Sequence, residues 1–142
     1  MPLFVLSILI IVVSNVLYHV SQKSIPGATH PVIALLATYA VAIVVTAALL
    51  PFFPVKEPLP QAFRRVNWAS FTLGVTVVGI EIGFLLAYRS GWRISVGSAV
   101  SNATVALVLI PIGLIFFGER LSAVNVVGVA LCVSGLLLIV AR

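Results

Sequence analysis

Five stretches of apolar residues, separated by short polar breaks, organise this chain. They run from about Leu3 to Gln22, Val32 to Phe53, Ala69 to Tyr88, Ser95 to Phe117 and Ala123 to Ala141. Each approaches twenty residues, the length at which an α-helix rising about 1.5 Å per residue crosses ~30 Å of hydrocarbon. Several such runs cannot share one small aqueous core, because each would leave most of its surface in water. The pattern therefore predicts an all-α, polytopic membrane protein: one domain over 1–142, built as a five-transmembrane-helix bundle. The breaks agree with this division. Lys23 and Pro26-Gly27 close the first run, with Pro31 just ahead of the second. The longest polar stretch, Pro54 to Asn67, holds Pro54, Lys56, Glu57, Pro58, Pro60, Arg64 and Arg65 and predicts the main extramembrane loop. Trp68 and Trp92 stand just outside the two ends of the third run, where an amphipathic ring rests at the headgroup level. Pro111 predicts a kink in the fourth helix, and Gly118-Glu119-Arg120 turns the chain into the fifth.

Composition strengthens the assignment. Of 142 residues, 62% are hydrophobic and 8% charged, whereas a soluble domain carries roughly a quarter charged residues. A net charge of +5 raises the question of nucleic acid, but the Lys and Arg residues lie singly or in pairs in short connections and build no basic face. No nucleic-acid partner is expected, and membrane anchoring accounts for the cations. Cys132 is the one cysteine and falls within an apolar run, so a disulfide framework or CxxC site is excluded. The first run has neither a charged n-region nor a small-residue cleavage site behind it, which reads as a retained helix.

Charge does not select an orientation. Five crossings place the termini on opposite sides, with Lys56, Arg64, Arg65 and Arg120 on one side and Lys23, Arg89, Arg93 and Arg142 on the other. The positive-inside rule is balanced by this count. Two readings stay open: one orientation fixed by other factors, or insertion both ways, which would let two copies form an antiparallel dimer.

Within the apolar runs, polar groups are expensive and mark candidate sites. Asn15, Tyr18, His19 and Gln22 fall within an arc of ~100° on one face of the first helix. Asn15 is deep enough to need a partner; His19 and its neighbours also lie within reach of interfacial water. Glu81 is the sole acid inside a span, on the same face as Gly74 and Tyr88. A carboxyl there can exchange a proton or, when ionised, attract a cation; the alternative is a neutral structural acid hydrogen-bonded to a neighbouring helix. Ser95, Ser98, Ser101 and Asn102 share one face of the fourth helix, as substrate contacts or as glue between helices. Gly79 and Gly83 make a GxxxG spacing, and Gly128 and Gly135 stand one heptad apart on the fifth helix, where small residues admit another helix closely. Candidate substrate or proton contacts are thus Asn15, His19, Glu81, Ser98 and Asn102, with Tyr88 at the mouth; Gly128 and Gly135 are candidates for dimer packing. No Walker loop, HExxH, CxxC or Ser-His-Asp arrangement occurs, so neither enzymatic activity nor a metal or cofactor is expected.

Gly118-Glu119-Arg120-Leu121-Ser122, followed by Asn125, Gly128 and Gly135, resembles the end of an EamA-like domain of the drug/metabolite transporter superfamily. The Arg64-Arg65 to Trp68 entry into the third helix is similar too. The resemblance covers nearly the whole chain and implies one five-helix half of a ten-helix inverted-repeat transporter, here standing alone. The four-helix small multidrug resistance proteins resemble the first, third, fourth and fifth helices, the second being an addition. In that family a glutamate on the first helix couples proton entry to cation export; here Asn15 falls where that acid would be, and Glu81 is the candidate to have taken over its role. The expectation is a transporter of small organic metabolites or drugs, acting as an antiparallel homodimer by alternating access among the lipids of a bacterial inner membrane. Two alternatives remain: a lipid-linked sugar flippase subunit, and a non-transporting membrane scaffold.

Overall fold

Proline positions explain where the helices begin and end. The computed structural model describes residues 2–120 and 122–140, which form six helices: α1 (Pro2–Ser24), α2 (Pro31–Ala48), α3 (Leu59–Arg64), α4 (Trp68–Arg89), α5 (Ile94–Phe116) and α6 (Ala123–Val140). Pro31 opens α2 at a position whose missing N–H has no helical partner to lose. The helix stops at Ala48 rather than near Phe53, because Pro51 cannot donate to the preceding turn and disfavours helical geometry at Leu50. The remaining residues tighten into turns, with the Leu49 N–H shared between the Val45 and Thr46 carbonyls. The loop from Pro54 to Asn67 contains the short α3, started by Pro58 and Pro60 in its cap and first turn. Its one ion pair, Arg65 to Glu57 at 3.0 Å, is largely exposed and contributes little to stability.

Among the described residues, four helices are long and apolar enough to cross a membrane: Leu3–Ser24, Pro31–Ala48, Trp68–Arg89 and Ile94–Phe116. The apolar part of α6, Ala123–Ile139, is shorter. Leu121 of the Gly118–Ser122 motif, Ala141 at the expected end of the fifth span and Arg142 of the charge count lie outside the described residues.

The chain divides into two units, Met1–Arg89 and Ser90–Arg142. In the first, α4 packs against both α1 and α2. α1 and α4 run the same way where they meet, Tyr18 reaching Ile80 and Lys23 reaching Tyr88, so Lys23 and Arg89 share one end as the charge pattern predicts. Leu35 of α2 and Leu85 and Tyr88 of α4 make the apolar core of the described residues. The N-terminal two-thirds of α1 is covered on no face: Leu9, Ile10, Ile11, Val12 and Val13, which together encircle the helix, are each more than half exposed. Such a surface has no place in water, and it suits hydrocarbon.

In the second unit α5 packs against α6. Pro111 lies inside α5 and leaves the Leu107 carbonyl without its helical donor, yet the helix runs through to Phe116. Gly118, at φ +63°, then takes the left-handed conformation that ends it, and the Glu119 N–H returns to the Gly113 carbonyl at 3.1 Å. The Glu119 carboxylate folds back over Gly113, where a β-carbon would lie 2.5 Å from Oε2.

Candidate functional site

A band of polar and aromatic side chains joins α1 to α4 near their C-terminal ends. On α1, Tyr18, His19 and Gln22 fall on one face because i, i+1 and i+4 positions are neighbours around a helix. On α4, Glu81, Phe84, Leu85 and Tyr88, at i, i+3, i+4 and i+7, form the facing stripe. The Gln22 amide Nε2 donates to Oε2 of Glu81 and also approaches the Glu81 carbonyl at 3.5 Å. The Tyr88 hydroxyl meets Nδ1 of His19 at 2.9 Å. Phe84 fills the space between them, its ring centroid 4.7 Å from that of His19 and 5.8 Å from that of Tyr18, both edge-on. Such edge-to-face pairs each contribute about 0.5–1.5 kcal/mol beyond burial.

The band is tightly enclosed. Gln22 and His19 are 4% and 6% exposed, and Tyr88 is buried beside them. Glu81 is half-buried and lies roughly 12 Å from the end of α4 at 1.5 Å per residue. Tyr39 of α2 comes within electrostatic range of Glu81, as does Tyr18 of α1, so the acid on α4 has neighbours on both of the helices that α4 packs against. Two acceptors or donors in this enclosure have no hydrogen-bond partner among the described residues: Oε1 of Gln22 and the Tyr39 hydroxyl. Toward the helix ends, Lys23 Nζ donates to the Tyr88 carbonyl at 3.0 Å, and Arg89 Nη2 donates to the carbonyls of Thr29 and Pro26. These bonds tie the α1–α2 connection onto the end of α4.

Of the residues singled out in the sequence, His19, Glu81 and Tyr88 come together here. Asn15 is exposed on α1, about one turn before the buried His19, and its side chain makes no hydrogen bond among the described residues. Ser98 and Asn102 belong to the α5–α6 unit. Ser98 satisfies its hydroxyl locally, donating to the Ile94 carbonyl one turn back at 2.7 Å, while Asn102 is exposed. Among the described residues, a β-carbon added at Gly128 or Gly135 would meet nothing within 4 Å, and the same holds at Gly79 and Gly83.

Sequence reasoning set Gln22 in the polar stripe but gave it no role, and it is the direct partner of Glu81. Its position three residues beyond His19 was the available signal. Tyr39 was overlooked, although a tyrosine amid the Ala, Val and Ile of α2 stands out in the same way.

The pairing of a carboxyl with a carboxamide has a specific chemical capability. An ionised Glu81 accepts from the Gln22 N–H, as here; a protonated one donates to the Gln22 Oε1, now unpartnered, once the amide turns over. One side chain can thus satisfy the acid in both protonation states.

The His19–Tyr88 bond is open to direct measurement. Tyr88→Phe is expected to cost about 0.5–1.5 kcal/mol of stability. In a His19→Leu background, where the buried hydroxyl has already lost its partner, the same change should cost nothing or restore stability. An equal cost in both backgrounds, read from unfolding in mixed detergent micelles, would show that the hydroxyl contributes by some other contact.

Four apolar helices of spanning length and a buried polar band between two of them define a helical membrane protein. Comparison with protein-family models, with curated proteins and with solved structures gives no match.

Proposed function

We propose that the chain is a transporter of small organic metabolites or drugs, working as an antiparallel homodimer of five-crossing copies by alternating access in a bacterial inner membrane. The observation that carries this reading is the Glu81–Gln22 contact, an ionisable group kept within apolar spans and served by a side chain able to answer both its protonation states. A purely structural hydrogen bond between helices needs no titratable partner, and burying one gives little packing benefit. Proton exchange at Glu81 gives the acid a use, coupling the entry of a proton to the movement of a solute in the opposite direction.

The second copy is supported by what one chain leaves uncovered. Asn15 and Asn102 are exposed amides on spanning helices, without side-chain hydrogen bonds among the described residues. Lipid supplies no partner for an amide, whereas a facing helix or a water-filled cavity does. Gly79, Gly83, Gly128 and Gly135 likewise offer close approach, with open space at each among the described residues. Resemblance of the Gly118–Ser122 region to EamA-like domains points in the same direction, since that architecture pairs two inverted halves around a central cavity.

Reconstitution into liposomes containing a pH-sensitive dye tests the reading. A panel of organic cations, amines and neutral metabolites, added outside under an inward-directed solute gradient, should include members that drive proton movement beyond that of protein-free liposomes. Folded, reconstituted protein that moves neither solute nor protons across the whole panel would count against transport.

A further inference from the structure

The side chains gathered around Glu81, where α4 packs against α1 and α2, are rich in oxygen: the carboxyl itself, the Gln22 amide and the Tyr18 and Tyr39 phenols. We propose that Glu81, with Oε1 of Gln22 and the hydroxyls of Tyr18 and Tyr39, binds a sodium ion, and that sodium and the proton compete for this one carboxyl. The proposal rests on Glu81 exchanging ions, as the proposed function has it, and names a second ion that it takes. Transport would then respond to both ion gradients.

The oxygens point to a ligand because two of them are enclosed without a partner. Gln22 is 4% exposed, and its Oε1 accepts no hydrogen bond among the described residues. The Tyr39 hydroxyl is enclosed and unpartnered as well, and it lies close enough to Glu81 to sense its charge. Burying an oxygen without a partner is costly, and a cation satisfies several at once through their lone pairs. The Tyr18 hydroxyl, 3.5 Å from the Ile80 carbonyl, is weakly engaged and keeps its own lone pairs available. Gln22 already touches Glu81 through Nε2. Turning the amide over sets Oε1 in that place, which is the orientation a protonated Glu81 also calls for. Sodium thus asks nothing of Gln22 that the proton does not.

Charge and donor type decide the class of ion. Glu81 is the sole acid within the spans. A monovalent cation makes a neutral pair with it, whereas a divalent one leaves a net charge inside an apolar layer. Oxygen donors suit hard cations, while transition metals favour nitrogen and sulfur. Among the described residues no three His, Cys, Asp or Glu side chains come together, and the His19 imidazole already engages Tyr88 through Nδ1. Sodium is favoured over potassium because Gln22 and Glu81 are in direct contact, and seating the smaller ion between them parts two packed helices the least. Glu81 itself is half-buried, which leaves the ion a way in. The other titratable groups around it are Tyr18 and His19 of α1, Tyr39 of α2 and Tyr88 of its own helix. Lys23 and Arg89 stand farther on, at the helix ends, bonded to main-chain carbonyls.

The test is thermal unfolding of the purified protein in a nonionic detergent, in sodium or potassium chloride at equal ionic strength, over a range of pH. Wild type should unfold at a higher temperature in sodium, by an amount that grows with sodium concentration. In the acidic range the half-saturating sodium concentration should rise about tenfold for each unit of pH, the signature of one proton competing with one ion. His19→Leu, which removes the imidazole, should keep that slope. Glu81→Gln should lose the sodium response altogether. Tyr39→Phe should raise the half-saturating concentration about tenfold, yet unfold in potassium no earlier than wild type, because the hydroxyl it loses had no partner. Tyr88→Phe, in the same band but outside the donor set, should respond to sodium as wild type does. Equal unfolding temperatures in sodium and potassium at every pH, or a sodium response that survives Glu81→Gln, would overturn the proposal. Neither result touches proton-coupled transport, which dye-loaded liposomes in sodium-free buffer report separately. A sodium response lost in Glu81→Gln, in protein that transports nothing, would uphold the site and count against transport alone.

Discussion

Glu81→Gln protein is expected to fold, insert and assemble normally while losing solute-driven proton movement down to the level of protein-free liposomes. The physical basis is that glutamine keeps nearly the volume of the acid and can still bond the Gln22 amide, so stability should change by less than about 1 kcal/mol. What it cannot do is take up or release a proton. Two measurements separate the parts of the claim: unfolding in mixed micelles reports the fold, and dye-loaded liposomes report coupling. Protein that is equally stable and still moves protons with solute would remove Glu81 from the mechanism.

A second large effect is expected at Gln22. Replacing it by leucine removes the donor to Glu81 and leaves the carboxyl beside a hydrocarbon side chain in a closely packed band. Leaving a buried polar group unsatisfied costs about 1–3 kcal/mol, more than the net worth of the bond itself. Gln22→Leu should therefore be destabilised by that amount. The double variant Gln22→Leu with Glu81→Leu replaces both partners by apolar groups and should recover most of the stability. It should not recover transport. A double variant no more stable than Gln22→Leu alone would mean that the pair is valuable to the fold in itself, which is what a structural hydrogen bond between helices requires.

These two residues also show what the sequence could and could not disclose. The first four spans were legible because an apolar run of about twenty residues has few alternatives. So was the polar face of α1, since helical periodicity sets Tyr18, His19 and Gln22 together without reference to anything else in the chain. The end of α2 was misjudged by several residues: Leu49, Leu50, Phe52 and Phe53 continue the apolar composition, but Pro51 among them ends the helix at Ala48. The short α3 was hidden in a segment rich in proline, a residue that breaks helices in their interior and starts them at their first turn.

Partnership between helices was not legible at all. Periodicity states which residues share a face and is silent on which face meets which, so Glu81 could be recognised as costly without Gln22 being recognised as its partner. Lys23 and Arg89 were read as orientation signals alone. Their joint position at the end of α1 and α4 depends on those helices running in parallel, with the connection folded back to Arg89. Ser98 is a further case: its hydroxyl donates to its own helix, at the Ile94 carbonyl, and nothing in its spacing reveals this.

The inverted pairing of two copies is the most exposed part of the account, and labelling tests it directly. Ala28 and Lys56, both exposed, lie in the connections at opposite ends of α2. Each would be changed singly to cysteine in a Cys132→Ser background and treated with a membrane-impermeant maleimide, first on intact cells and then after permeabilisation. The account predicts that Ala28→Cys and Lys56→Cys each label from both sides in comparable fractions, because copies are inserted in both directions. Labelling of one position only from outside and the other only from inside would contradict it.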